Sequence, residues 1–175
     1  MLFTNAVTLA IVVITMGAIQ SHAGPIIPRA DEELVVISVE TIGDQTLHWY
    51  GLSNDVPTPA PLTKKACGDN IVTCSGSRQA STISCRVLLN TLKSSGGNTV
   101  PRSPRAVCLS QSGNQCCTSW AKEMSNPLYF RNLAPAVEKI INNCAGGNVS
   151  GLTRDTNLAG TCTTQCLSNR PNGCS

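Results

Sequence analysis

The sequence predicts an α+β fold: a two-layer sandwich of two amphipathic helices on a small antiparallel sheet, stapled by up to five disulfides. Three observations predict it. The 175 residues contain ten cysteines, an even number far above ordinary usage. Two segments repeat apolar residues at i, i+3, i+4 and i+7, which puts four apolar groups on one helical face. Four short runs near 71–74, 105–110, 115–120 and 148–153 suit strands. Two one-sided helices need a sheet or each other to cover their apolar faces. An open, knot-like assembly of loops is the alternative, and the two helical stripes argue against it.

The chain is organised around Arg105–Trp120, RAVCLSQSGNQCCTSW. Ala106–Leu109 suits a buried strand, Ser110–Gln115 a hairpin loop with Gly113 and Asn114, and Cys116–Trp120 the return strand. Neighbouring residues on a strand face opposite ways. Cys116 and Cys117 are therefore expected to bond to separate partners. One is expected to reach a helix cysteine, Cys85 or Cys144, and the other a loop or the tail.

Taken in order, the chain opens with a near-continuous apolar run, Ala6–Ile19, followed by Gln20-Ser21-His22-Ala23. Small Ser21 and Ala23 fit a signal-peptidase site, so residues 1–23 read as a signal peptide and the secreted chain as starting near Gly24. The run is short for a membrane span, and no second apolar stretch follows, so no span is expected after its removal.

Residues 24–66 read as an acidic amino-terminal hairpin and proline-rich linker. Leu34–Val39 and Thr46–Tyr50 are strand-like, with a turn candidate at Gly43-Asp44. Pro57, Pro59 and Pro61 mark the linker. Here six acids stand against three bases, a net of −3. Residues 67–175 form the cysteine-rich domain, where ten bases stand against four acids, a net of +6. Two readings compete for the acidic segment. It is either a hairpin packed on the domain or a pro-segment removed after Lys64-Lys65.

In the cysteine-rich domain, Ser81 or Thr82 caps a helix beginning near Ile83, with the stripe Cys85, Leu88, Leu89 and Leu92. Gly96-Gly97 ends it. Asn132 is read as the cap of a second helix, with Pro135 in its first turn and the stripe Val137, Ile140, Ile141 and Cys144. Gly146-Gly147 ends that one. The tail Gly160–Ser175 reads as stitched back onto the domain by Cys162, Cys166 and Cys174, and its turn-rich run Asn169–Gly173 makes the chain end pinned rather than helical. With aromatics at only 3%, the core is expected to rest on aliphatic residues and cysteine.

All ten cysteines, Cys67, Cys74, Cys85, Cys108, Cys116, Cys117, Cys144, Cys162, Cys166 and Cys174, are expected in disulfides. Spacing does not select among about 900 pairings. Cys162-x3-Cys166 and Cys116-Cys117 have superficial metal-ligand spacing. A closed zinc site needs four reduced Cys or His ligands, and only His48 follows residue 23. No metal and no cofactor are expected. No G-x-S-x-G elbow is present. Glu123 and Asp155 are the best remaining acid pair for glycoside hydrolysis, and nothing in their spacing supports it. Glu138 lies beside Lys139 on an expected solvated face. The basic residues are dispersed singly, without interleaved aromatics, which argues against nucleic acid. Attraction to an anionic cell surface, a cell-wall polymer or a host protein fits the positive charge. Asn148-Val149-Ser150 is a glycosylation sequon just past a helix end.

The runs GNQCCTSWAKEM, INNCAGGNVSGL and TCTTQCLSNRPNGCS resemble a family of small secreted fungal cysteine-rich proteins. Their shared region is described as WD-like, and its function is not established. The resemblance covers roughly residues 67–175, with the hairpin before it as a candidate extension, and it implies secretion, disulfides and a fungal source. The helix–glycine–strand order is also similar in layout to fungal killer toxins and necrosis-inducing effectors, which are disulfide-stapled two-layer proteins. The chain has no propeller repeat of blade length. The leading expectation is a secreted non-enzymatic binding protein, effector-like or toxin-like at a cell surface or wall. Two others are a small hydrolase of wall polymers, with His48, Glu123 and Asp155 as its test residues, and a structural wall or surface protein.

Overall fold

A seven-stranded antiparallel sheet dominates the molecule. The computed structural model describes residues 33–53, 67–101 and 104–174. The strands are β1 (Leu34–Ile42), β2 (Gln45–Leu52), β3 (Val72–Cys74), β4 (Ala80–Ser81), β5 (Pro104–Gln111), β6 (Asn114–Trp120), β7 (Asn148–Val149), β8 (Gly151–Leu158) and β9 (Thr161–Ser168). The helices are α1 (Thr82–Ser94) and α2 (Phe130–Cys144). The large sheet runs β1-β2-β5-β6-β9-β8-β3, and β4 pairs with β7 separately.

Local sequence explains the hairpins. Gly43 adopts φ +62° in the two-residue turn that joins β1 to β2. Ser112 and Gly113 both have positive φ, +49° and +75°, between β5 and β6. Consecutive positive φ angles match the right-handed twist of the flanking strands. The turn centre then sets the register, with Cys108 opposite Cys117 and Leu109 opposite Cys116.

The fold expected from the sequence is corrected in two ways. The sheet is not a small one serving two helices. It takes in the acidic hairpin at one end and the cysteine-bearing tail in its interior. β9, in a tail to which the sequence assigned no strand, pairs with both β6 and β8. Its run of threonines has the β-branched chemistry of a strand. Nor is one face of the sheet left as an outer layer. Leu167 joins the helix-facing core, so Cys166 points to the other face. Cys174 bonds to Cys166 there and folds the end of the tail back over Ser119. Ala106, Cys108 and Cys117 are fully enclosed, although they alternate with the helix-facing residues Val107, Leu109 and Cys116. The result is mostly sheet, with two helices attached, rather than a two-layer sandwich.

The helical stripes behave as their periodicity dictates. Cys85, Leu88, Leu89 and Leu92 are buried on α1, and Val137, Ile140 and Ile141 on α2. α2 begins three residues earlier than expected. Tyr129 is its N-cap, and Asn132 sits in the first turn, where its Oδ1 accepts the Tyr129 backbone N–H at 2.9 Å. Pro135 therefore lies inside the helix, where it removes one backbone donor.

The core is also more aromatic than composition implied. Trp49, Trp120 and Phe130 are among its largest buried side chains, and the Trp49 and Phe130 rings lie 5.1 Å apart. Leu47 and Trp49 come from the acidic hairpin, so β2 contributes directly to the common core. Buried Gln165 ties β9 to its surroundings. Its Nε2 donates to Thr118 Oγ1 and to the Leu133 carbonyl, both at 2.9 Å.

Candidate functional site

Every cysteine is in a disulfide. The pairs are Cys67–Cys162, Cys74–Cys144, Cys85–Cys116, Cys108–Cys117 and Cys166–Cys174. Cys116 joins α1 to the sheet. Cys117 does not reach a loop or the tail, as expected from the sequence. It bonds across the hairpin to Cys108, because the turn at Ser112-Gly113 places those two residues opposite each other. Cys67–Cys162 ties the segment before β3 to β9, and Cys74–Cys144 ties β3 to the last residue of α2.

A cleft of about 370 Å³ opens at the β3 side of the sheet. Its floor comes from Thr73, Gly151, Leu152 and Leu167. Gly151 is needed there by close packing. A Cβ at that position would lie 2.9 Å from the Thr73 carbonyl oxygen and 3.1 Å from Cys144 Sγ. Any larger residue would push β3 off β8.

Two loops form the walls, and each carries an arginine. The first follows β3 and bears Ser75, Ser77 and Arg78. Ser75 and Ser77 hydroxyls are 3.0 Å apart, and the Ser75 N–H donates to the Ser150 carbonyl at 2.9 Å. Arg78 takes φ +53°, a left-handed conformation uncommon for a non-glycine residue. Its carbonyl accepts the Asn169 N–H at 2.9 Å, which joins the two walls. The second loop follows β9 and bears Arg170 and Gly173. Ser168 Oγ donates to the Arg170 carbonyl at 2.9 Å and accepts the Arg170 N–H at 3.4 Å. A disulfide stands beside each wall, Cys74–Cys144 at the first and Cys166–Cys174 around the second.

The electrostatics of this cleft are one-sided. Arg78 is exposed and Arg170 half-buried. Burial and, secondarily, the charge of Arg78 push the Arg170 guanidinium below its ordinary pKa. Arg170 Nε is enclosed and has no hydrogen-bond partner among the described residues. Among the described residues no acid lines the cleft. Arg78 and Arg170 thus line one cleft together with several hydroxyls, a set of groups that an anion would satisfy.

The residues singled out from the sequence fall elsewhere. His48 is half-buried on β2 beside Val39 and Cys108, Glu123 follows β6, and Asp155 is exposed at the irregularity in β8, with φ +58°. None of the three lines the cleft. Glu138 forms an exposed salt bridge with Lys93 at 2.6 Å. Asn148 is exposed on β7, and Ser150 of the same sequon lines the cleft. Ala23, Lys64 and Lys65 lie outside the described residues. Among the described residues no cluster of three or more His, Cys, Asp or Glu could hold a metal, and no helix is long and apolar enough to cross a membrane. Five disulfides are compatible with an extracellular location.

Sequence reasoning missed the cleft because Arg78 and Arg170 are far apart in the chain and each stands alone among uncharged neighbours. One signal was present. Each arginine lies four residues from a cysteine, Cys74 for one and both Cys166 and Cys174 for the other.

No curated protein and no solved structure matches the chain. The family described as fungal WD-like matches residues 44–174, which span β2 to the end of the tail and include every residue of the cleft. The chain belongs to the fungal WD-like family.

Proposed function

We propose that this is a secreted, non-enzymatic binding protein that holds an anionic group of a cell surface or cell wall in the Arg78–Arg170 cleft. The observation that carries the reading is the arginine pair in a serine-lined cleft without acidic neighbours. Guanidinium groups bind oxyanions through paired, charge-assisted hydrogen bonds, and arginine loses little of its shape freedom in doing so. The excess of bases over acids in residues 67–175 adds long-range attraction toward an anionic surface. In this reading residues 1–23 direct export, and the disulfides form on that route.

Binding of the purified, disulfide-intact protein to isolated fungal and plant cell walls tests the proposal. The wild type is expected to bind and to be released by salt. The double variant Arg78→Ala/Arg170→Ala is expected to lose about tenfold or more in affinity. Unchanged wall binding by a folded double variant would overturn the reading.

A further inference from the structure

The cleft holds more positive charge than a carboxylate can use. This inference rests on the proposed binding role of the cleft and concerns which anion it takes. A carboxylate is planar and singly charged, and one arginine fork satisfies both of its oxygens. Here the two arginines come from different loops, one after β3 and one after β9. Each loop therefore brings one guanidinium-bearing side chain to the lining. A tetrahedral phosphate ester presents three terminal oxygens and a charge of about −1.5 to −2 at neutral pH. It accepts from both forks and from a hydroxyl, and it offsets two cations. Such a group also relieves the repulsion between Arg78 and Arg170 more fully than a single negative charge does.

Size adds a second constraint. At about 370 Å³ the cleft has room for more than a lone ion. It stands near the lower end of small-molecule clefts, which run from about 300 to 1,000 Å³. Ser75, Ser77 and Ser150 add hydroxyls along the walls, suited to a polyhydroxylated body. Among the described residues no aromatic side chain lines the cleft, so they offer no stacking platform for an uncharged ring. We infer that the cleft selects a phosphate monoester carried on a sugar-sized, hydroxyl-rich body, with Arg78 and Arg170 as the specificity-determining pair. Ser168 acts through Arg170 as a positioning residue, since its hydroxyl bonds both the N–H and the carbonyl of that residue.

Calorimetric titration of the intact protein with glucose 6-phosphate, inorganic phosphate, glucuronate and glucose tests this. Glucose 6-phosphate is expected to bind about tenfold or more tightly than glucuronate, and glucose to give no signal. Inorganic phosphate is expected to compete at the same site with lower affinity. Tighter inorganic phosphate than glucose 6-phosphate would instead identify a free-ion site and overturn the ester assignment. Affinity for glucose 6-phosphate is expected to rise between about pH 5 and pH 7, as the ester gains its second charge near pH 6, while that for glucuronate stays flat. Arg170→Lys keeps the charge but loses the fork, so it is expected to lower the phosphate affinity about tenfold. Arg78→Ala, on the other loop, gives the same readout should the tail variant fail to fold. Equal or tighter binding of glucuronate overturns the phosphate inference and leaves the anion-binding reading standing. Loss of all anion binding together with arginine-independent wall binding overturns both.

Discussion

β1 presents nine residues at one edge of the sheet, and β3 presents three at the other. β1 carries no disulfide and exposes Val35, Val36, Ile37 and Val39. Its grip on the molecule runs mainly through β2, whose Leu47 and Trp49 reach the core, while its own Ile42 packs against that core and its Glu40 carboxylate accepts the Asn98 amide at 3.1 Å. β3 pairs with β8 over only three residues and has no fully buried side chain of its own. Its position is fixed covalently, by Cys74–Cys144 within the strand and Cys67–Cys162 just before it. So long pairing with buried anchors holds one edge, and cross-links hold the other. The stapled edge is also the one that carries the cleft. A binding site needs walls that keep their spacing, and three backbone residues do not provide that alone. The family match begins at residue 44 and so leaves out β1 while it includes β3 and both arginine loops.

The largest expected effect comes from cutting the staple at β3. Replacing Cys74 and Cys144 together by serine removes a cross-link between residues 70 apart. Chain entropy puts the loss at about 4 kcal/mol for a loop of that size. Urea unfolding measures it. The same variant is expected to lose anion binding before it loses global structure, because β3 and the Arg78 loop come free first. A stability loss below about 1 kcal/mol would mean that β3 is held by its packing, and the contrast between the edges would disappear.

A slightly smaller effect is expected from the unstapled end. Trp49→Ala removes a fully buried ring that packs against Phe130. Large-to-small changes of this kind cost about 3 kcal/mol or more, since the cavity closes only in part. The cost falls on a hairpin with no covalent tie, so hydrogen exchange is expected to rise first across Leu34–Leu52. Uniform exchange through the whole sheet would show instead that the hairpin and the rest unfold as one unit.

How much of this could be read from the sequence follows from how local each feature is. The hairpins at 34–52 and 104–120 were legible because Gly43 and Gly113 mark tight turns between apolar runs. The helices were legible because their stripes are local patterns. The start of α2 was misplaced because Asn132 has the chemistry of a cap, yet it acts from within the first turn. The central place of β9 was not legible. Its pairing partners lie on β6 and β8, and the turn signals of Asn169–Gly173 coloured the reading of the whole tail. The Cys108–Cys117 bond could have been read, since a turn centred on Ser112-Gly113 sets those residues opposite each other. The cleft could not, because only the sheet order brings the loop after β3 beside the loop after β9.

The smallest expected effect sharpens the account of the β1 edge. Ile37 sits at the bulge where the β1–β2 register shifts, and it has no direct partner on β2. Its side chain is substantially exposed, as are Val36 and Val39. Bulges and charged residues are two devices by which proteins keep an edge strand from pairing with other chains. Here the bulge is present, and acids occupy Glu33 and Glu40, but the middle of the strand is apolar. Ile37→Lys places a charge there without removing core contacts. Stability is expected to change by less than about 0.5 kcal/mol, as for surface substitutions that break no special feature. Concentration-dependent association, followed by sedimentation, is expected to fall, because an aligned second strand would have to bury the new charge. A loss of stability like that of Trp49→Ala would show that Ile37 is an anchor in its own right. β1 would then be anchored in its middle as well as at its Glu40–Ile42 end.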